Sequence, residues 1–92
     1  MRIRWTTLAI DDLKIISGRI ERQRNLATAN RVCRAIYNTI QILRRFPESG
    51  KTGIEEGTRE LVIPKLPYVV ACRLLGSGAV EVLPIWHGAQ DR

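Results

Sequence analysis

Few side chains in this sequence could carry acid–base chemistry near neutral pH. His87 is the only histidine among the 92 residues, and imidazole is the side chain whose ordinary pKa lies closest to pH 7. Arg59 and Arg73 could stabilise the charge of a phosphorane if RNA were cleaved through its 2′-OH. Glutamates at positions 55, 56, 60 and 81 are possible proton acceptors. His87, Arg59 and Arg73 are therefore the candidate residues for acid–base chemistry at a phosphate group.

Each of these residues also has a structural interpretation. A lone histidine at the end of a strand is commonly a hydrogen-bonded part of the fold, and Arg73 fits a partly exposed strand position. Arg59 could pair with an acidic side chain. Trp86 and Tyr68 are interpreted as core or hairpin anchors rather than as platforms for stacked bases. The sequence alone leaves the catalytic and the structural interpretations open.

Positive charge is concentrated in the first half of the chain. The net charge is +6, and residues 1–46 hold ten Lys/Arg against three Asp/Glu, whereas residues 47–92 hold five against six. A field of this sign favours an acidic partner, either nucleic acid or an acidic protein segment. The candidate partner-binding residues are four arginines near the ends of the predicted elements: Arg2, Arg4, Arg44 and Arg45. A solvated helix surface is the alternative explanation of the same charge.

Composition limits the class of protein. Hydrophobic residues make up 45% of the 92 residues, which predicts a single globular domain over 1–92. Cys33 and Cys72 do not make a disulfide framework, so we expect buried thiols and a cytoplasmic protein. No apolar run is long enough for a membrane span or a signal peptide. We expect no metal, cofactor, small-molecule ligand or membrane partner.

The first half of the chain is predicted to form a strand and two helices. Arg2–Trp5 alternates basic and apolar residues, as a strand does. Thr6 or Thr7 can cap a first helix and Asn25 a second, and each helix carries one apolar stripe. The first stripe is Ala9, Leu13, Ile16 and Ile20; the second is Ala29, Val32, Cys33, Ile36, Ile40 and Leu43. Two such stripes separated by a short loop predict an antiparallel helix hairpin, closed by Pro47.

The second half reads as a polar loop followed by three strands. The loop is Glu48–Gly57, and the strands are Thr58–Ile63, Tyr68–Leu75 and Ala79–His87. A Gly-Ser-Gly turn joins the last two strands as a hairpin. Pro84 has no backbone N–H to donate to a strand ladder, so it predicts a bulge or a partner strand on one side only. The predicted fold class is therefore α+β: an N-terminal strand, an antiparallel helix hairpin, then a three-stranded antiparallel sheet with the hairpin on one face.

Five short motifs follow this predicted order of elements. They are A-x-x-D-L-x-x-I from Ala9 to Ile16, Phe46-Pro47 followed by Gly50, G-T-R-E-L from Gly57 to Leu61, P-Y-V-V from Pro67 to Val70, and the run Val80–Gly88 that continues into Ala89-Gln90. In this order the chain resembles the toxins of the RelE/ParE superfamily. The resemblance spans nearly all 92 residues.

The resemblance implies a type II toxin–antitoxin toxin that a cognate antitoxin neutralises. RelE-like members cut messenger RNA on the ribosome, whereas ParE-like members inhibit DNA gyrase by binding. RelE-like enzymes typically carry a tyrosine close to the C-terminus, but here Gly88 follows His87 and no aromatic residue comes after it. This favours the ParE-like side, with gyrase as the target. The alternative that the resemblance implies is a ribosome-dependent mRNA interferase, a metal-independent endoribonuclease in which His87, Arg59 and Arg73 would be catalytic. Enzymatic activity is therefore left open.

Overall fold

The structure, a computed structural model, describes residues 2–88. The elements along the chain are β1 (Arg2–Trp5), α1 (Thr7–Gln23), α2 (Leu26–Gln41), a 3₁₀ turn (Ile42–Arg44), β2 (Lys51–Thr52), β3 (Thr58–Val62), β4 (Tyr68–Leu74) and β5 (Ala79–His87). They form one five-stranded sheet in the order β1-β5-β4-β3-β2. The last part of the fifth motif, Ala89-Gln90, lies outside the described residues.

The α+β prediction is confirmed, and the sheet is wider than the three strands expected from the second half. β1 pairs in parallel with β5, whereas β2–β3, β3–β4 and β4–β5 are antiparallel, so the sheet is mixed. β1 joins because its apolar residues, Ile3 and Trp5, pack against the core. The short β2 forms inside the predicted polar loop, where the N–H of Gly53 donates to the carbonyl of Thr58 at 2.8 Å.

Both helices begin at the predicted caps. The Thr6 hydroxyl accepts the N–H of Ala9 at 3.2 Å and donates to the carbonyl of Val82 at 2.6 Å, so one side chain starts α1 and ties it to β5. The Asn25 side-chain oxygen accepts the N–H of Thr28 at 2.7 Å and starts α2. Capping satisfies backbone N–H groups that the first helical turn leaves without a partner.

The core lies between the helix hairpin and one face of the sheet. Ile36, Ile40 and Leu43 from the second stripe are fully buried against Val70 and Val82. Each fully buried aliphatic side chain of this kind contributes about 1.5–3 kcal/mol. Cys72 is buried as expected, but Cys33 is only half-buried because it lies at the margin of its stripe. No helix among the described residues is long and apolar enough to cross a membrane.

The predicted irregularity at Pro84 is a β-bulge. The β4–β5 register runs from Val70↔Ile85 to Cys72↔Val82, so two residues of β5 lie opposite the single residue between them on β4. Beyond Val82 no strand of the described sheet pairs with the outer edge of β5. There the N–H of Ile85 donates to Asp12 Oδ2 of α1 at 2.9 Å. The helix thus supplies a hydrogen-bond acceptor where the neighbouring strand has ended.

Candidate functional site

The three candidate catalytic residues lie on three different strands. His87 ends β5 opposite Tyr68, and Arg73 lies opposite Glu81 at the other end of the β4–β5 ladder. The two positions are five residues apart along β4, which is about 17 Å along a strand. His87 and Arg73 therefore do not share one site.

Arg59 and Arg73 project from opposite faces of the sheet. Arg59 pairs with Cys72 across the β3–β4 ladder, and Cys72 belongs to the core on the helix side. Directly opposed residues share a face and successive residues alternate between faces. Arg73 therefore points to the face away from the helices. Cleavage of a phosphodiester requires the base, the acid and the charge-stabilising groups to converge on one reacting phosphate, and the described residues do not bring these three together.

His87 belongs to a small cluster at the end of the sheet. Its ring meets Tyr68 edge to face, with centroids 5.7 Å apart and an interplanar angle of 79°. Arg19 of α1 donates through Nη2 to the Tyr68 hydroxyl at 3.3 Å. Tyr68 is buried, which agrees with its prediction as an anchor, whereas Trp86 is half-buried. The sequence analysis did not predict Arg19 as a member of this cluster. The one feature of the sequence that marks it is its position beside the apolar stripe of α1.

Arg73 is paired with an acidic side chain of the polar loop. Its Nη2 lies 3.6 Å from Glu55 Oε2, and both side chains are exposed to solvent. An exposed pair of this kind is worth only about 0–1 kcal/mol. Glu55 nevertheless places a negative charge where a substrate phosphate would have to approach.

Arg59 lines an open depression beyond the end of α2. Its Nη1 donates to the carbonyl of Gly50 at 3.4 Å. The other lining residues come from the segments before and after β2, from β2 itself and from β3 and β4: Pro47, Glu48, Thr52, Gly57, Thr58, Cys72 and Leu74. One arginine in a depression that Glu48 also lines does not make a phosphate site.

Cys72 beneath this depression should be chemically inert in the folded protein. Burial raises the pKa of its thiol, and the nearby Arg59 charge opposes part of this shift. The thiol donates to the carbonyl of Arg59 at 3.6 Å. Because the thiolate is the reactive form, iodoacetamide at neutral pH should label half-buried Cys33 first. Mass spectrometry should find Cys72 labelled only after unfolding in urea. Equal labelling of both thiols in the native protein would contradict this.

The four candidate partner-binding arginines flank one edge of the sheet. Arg2 and Arg4 are exposed on β1 and alternate with its core-facing residues. Arg44 ends the 3₁₀ turn, Arg45 follows it, and this turn contacts β1. Arg44 Nε donates to Gln41 Oε1 at 2.6 Å. Residues that are forty positions apart in sequence therefore give this edge a basic rim.

A stacked aromatic pair lies at the same edge. The rings of Trp5 and Tyr37 are nearly parallel, 6.3 Å apart between centroids with an interplanar angle of 7°. Tyr37 is half exposed. On the other face of β1, Arg4 has Glu81 as its cross-strand neighbour, and Glu81 lies between Arg4 and Arg73 in the register. The edge thus combines arginines with an accessible aromatic surface.

Within residues 2–88 no group of three His, Cys, Asp or Glu side chains is placed to hold a metal ion.

Two solved structures have a fold similar to that of this chain. The structure is similar, at a TM-score of 0.87 and 21% identity, to a chain described as the chromosomal ParDE TA system from P. aeruginosa, with 95% of each chain covered. It is similar at a TM-score of 0.64 and 10% identity to a chain of the intact E. coli RelBE toxin–antitoxin complex, with 98% of each chain covered. The chain therefore shares its fold with these two proteins.

Sequence comparison gives the family. The family described as ParE toxin of type II toxin–antitoxin system, parDE, matches residues 3–92. A Sinorhizobium fredii protein described as toxin Y4kP is 38% identical to this chain over 90 residues. The match covers 98% of this chain and 91% of the relative. The chain belongs to the ParE toxin family of type II toxin–antitoxin systems. The predicted resemblance, including its ParE side, is confirmed.

Proposed function

We propose that this chain is the toxin of a type II toxin–antitoxin pair, that it acts in the cytoplasm by binding DNA gyrase, and that a cognate antitoxin neutralises it. The observation that carries the proposal is the ParE family match over residues 3–92. The resemblance to ParE-like toxins implies action by binding.

The geometry supports binding over catalysis. His87 lies against Tyr68 at one end of the sheet, and Arg73 is paired with Glu55 towards the other end. Arg59 lies on the opposite face from Arg73, in a depression that also contains Glu48. A gyrase-binding toxin needs complementary surface rather than convergent acid–base groups, and the arginines at the β1 edge supply charge for such a surface.

The first test uses purified toxin, gyrase, plasmid DNA and ATP. Saturating toxin should stabilise the gyrase–DNA cleavage complex, so that linear plasmid appears after detergent and protease treatment. The matched variant is His87→Ala, which should stabilise the complex as the unchanged protein does. Absence of any effect on supercoiling or cleavage would refute the gyrase target.

A second assay distinguishes the RelE-like alternative. Translating ribosomes incubated with toxin should yield no cuts within A-site codons. If such cuts appeared and His87→Ala abolished them, the protein would be an mRNA interferase. Inducing the toxin in a bacterium while recording the DNA-damage response and messenger RNA integrity checks the same distinction in cells.

A further inference from the structure

The second helix and the turn after it lie in a part of the chain that has no acidic side chains. Residues 22–47 contain six arginines and neither Asp nor Glu, whereas Glu21 and Glu48 stand directly before and after this stretch. α2 and the 3₁₀ turn both fall within it. No acid of the same segment therefore balances the positive charge of these arginines.

The exposed side chains in the middle of α2 lie on one side of the helix. At 3.6 residues per turn they fall within an arc of about 120°, and the buried positions of α2 lie on the opposite side. They are Asn30, Arg31, Arg34, Tyr37 and Asn38, and we call them the α2 face. This set contains no aliphatic and no acidic side chain.

The arginines of the α2 face present their donors to solvent. Among residues 2–88, neither the Arg31 nor the Arg34 side chain forms an ion pair or a hydrogen bond. The exposed side chain of Arg45, which follows the 3₁₀ turn, makes no such contact with this part of the chain either. Helix and turn span about 20 Å from Arg31 to Arg45. Three guanidinium charges are thus available to a partner along this length.

Tyr37 is held within the α2 face by a neighbouring strand. Its ring stacks on Trp5 of β1 at the parallel geometry described above, and Trp5 itself packs against the core. Within the described residues the Tyr37 hydroxyl has no hydrogen-bond partner. Arginine, asparagine and tyrosine side chains are all common hydrogen-bond donors to the phosphate oxygens of DNA. The face therefore carries three kinds of group that bind phosphate.

The composition of the α2 face favours a nucleic acid over a protein segment. The centre of a protein–protein interface is built around buried anchors in an apolar patch, and the α2 face offers only the ring of Tyr37. Protein–DNA interfaces are more polar and more positively charged. Duplex DNA carries one negative charge per about 1.7 Å of axis, so a row of donors about 20 Å long can follow its backbone over about six base pairs.

We propose that the α2 face, together with Arg45, binds the phosphate backbone of duplex DNA. The inference rests on the proposed function for its choice of DNA as the nucleic acid, because gyrase holds a DNA segment where the toxin would act. It goes beyond that function by assigning the toxin a direct contact with DNA and by naming the residues that make it.

The first test measures, by fluorescence anisotropy, how purified toxin binds a labelled DNA duplex of about 20 base pairs. The arginine variant, Arg31→Gln combined with Arg34→Gln, should raise the Kd roughly tenfold at low salt. It should also reduce the salt dependence, the slope of log K against log salt, by about 2, since each phosphate contact contributes about 0.9. Gln and Arg have similar helix propensities and both positions are exposed, so the urea denaturation midpoint should be unchanged.

The lysine variant, Lys51→Gln combined with Lys65→Gln, is the matched control. Both lysines are exposed, and their replacement lowers the net charge by the same amount. Lys51 lies in β2, at the opposite edge of the sheet from β1, and Lys65 lies between β3 and β4. The Kd of the lysine variant should change less than about threefold. Equal losses for the two variants would show that net charge alone attracts the DNA, which overturns the assignment to the α2 face.

Competition experiments test the choice of DNA as the partner. Unlabelled duplex DNA should displace the labelled duplex better than polyglutamate of the same total charge, because an extended polypeptide carries about half the charge per unit length. If polyglutamate competes as well as DNA, the face accepts an acidic protein segment. If an RNA duplex of the same length competes better than DNA, the face is an RNA site. Either result overturns the proposal.

A gyrase assay separates failure of this inference from failure of the proposed function. With gyrase, plasmid and ATP, the arginine variant should need about tenfold more protein than the unchanged toxin to give the same amount of linear plasmid, and the lysine variant should need the same amount. If the unchanged toxin stabilises the cleavage complex but binds no duplex DNA by itself, the inference fails and the proposed function stands. If it binds DNA through the α2 face but has no effect on gyrase, the gyrase target fails and the DNA site stands.

Discussion

Replacing Gly50 by alanine should destabilise the protein by about 3 kcal/mol, because two separate costs meet at this position. Gly50 has φ +91°, a conformation that costs a residue with a side chain about 1–2 kcal/mol. A Cβ at this position would lie 2.5 Å from the carbonyl oxygen of Glu60 and 3.0 Å from its carbon. These are backbone atoms inside the β2–β3 pair, and overpacking of this kind costs about 1–3 kcal/mol. Urea denaturation should show the loss as a lower midpoint at similar slope.

Gly57→Ala is the control that separates the two costs. Gly57 has φ +80°, and a Cβ there would meet nothing within 4 Å. The Gly57→Ala variant should therefore lose only the conformational part of the stability, about 1–2 kcal/mol. Equal losses for the two variants would show that contact with Glu60 contributes nothing. The larger loss at Gly50 would explain why a glycine follows three residues after Pro47 in the second motif: the chain passes directly against β3 there.

Replacing Asp12 by alanine should cost about 2 kcal/mol. The variant removes the acceptor of the Ile85 N–H, which receives no strand partner on that side, and a buried polar group left without a partner costs about 1–3 kcal/mol. Asp12→Asn keeps a side-chain oxygen at the same position and should recover most of the loss. The free energy of unfolding from urea denaturation is the measurement.

Asp11→Ala is the control for this prediction. Asp11 is the neighbouring acidic residue of α1 and is exposed, so its substitution should change the stability by less than about 0.5 kcal/mol. A similar loss for both variants would mean that helix electrostatics, and not the hydrogen bond to Ile85, explains the effect. A larger loss at Asp12 would give the acidic residue of the A-x-x-D-L motif a structural role: it holds α1 to the unpaired end of β5.

Half of the ten basic residues of the first half lie in the two helices, and the four candidate partner-binding arginines lie elsewhere. The count of charged residues places the excess of positive charge in the helical half, which suggests that the charge lies on a helix surface. In the structure, Arg2 and Arg4 belong to the sheet edge, and the 3₁₀ turn that contacts this edge brings Arg44 and Arg45 towards it. The β1 edge is therefore a basic and aromatic surface formed by one strand and the turn after α2.

Local sequence signals determined much of the fold. Helix caps and apolar stripes depend on residues only three to seven positions apart, so they can be identified without knowing the rest of the chain. The caps at Thr6 and Asn25 and the stripe from Ala29 to Leu43 are of this kind. The family also followed from short motifs in a fixed order, and the match over residues 3–92 agrees with it. Pro84 indicated the bulge for the same local reason, since it lacks a backbone donor.

Only the tertiary structure decided which distant residues meet. The parallel pairing of β1 with β5 and the hydrogen bond from Ile85 to Asp12 join residues more than seventy positions apart, and no local periodicity encodes a partner at that separation. The same holds for His87, Arg59 and Arg73, which were the starting point of the chemical hypothesis. Their residue types allowed catalysis, but strand register separates His87 from Arg73 and strand alternation puts Arg59 and Arg73 on opposite faces. The sequence by itself therefore determined the family and the elements, whereas the long-range pairing of the strands decided that these side chains do not form a common site.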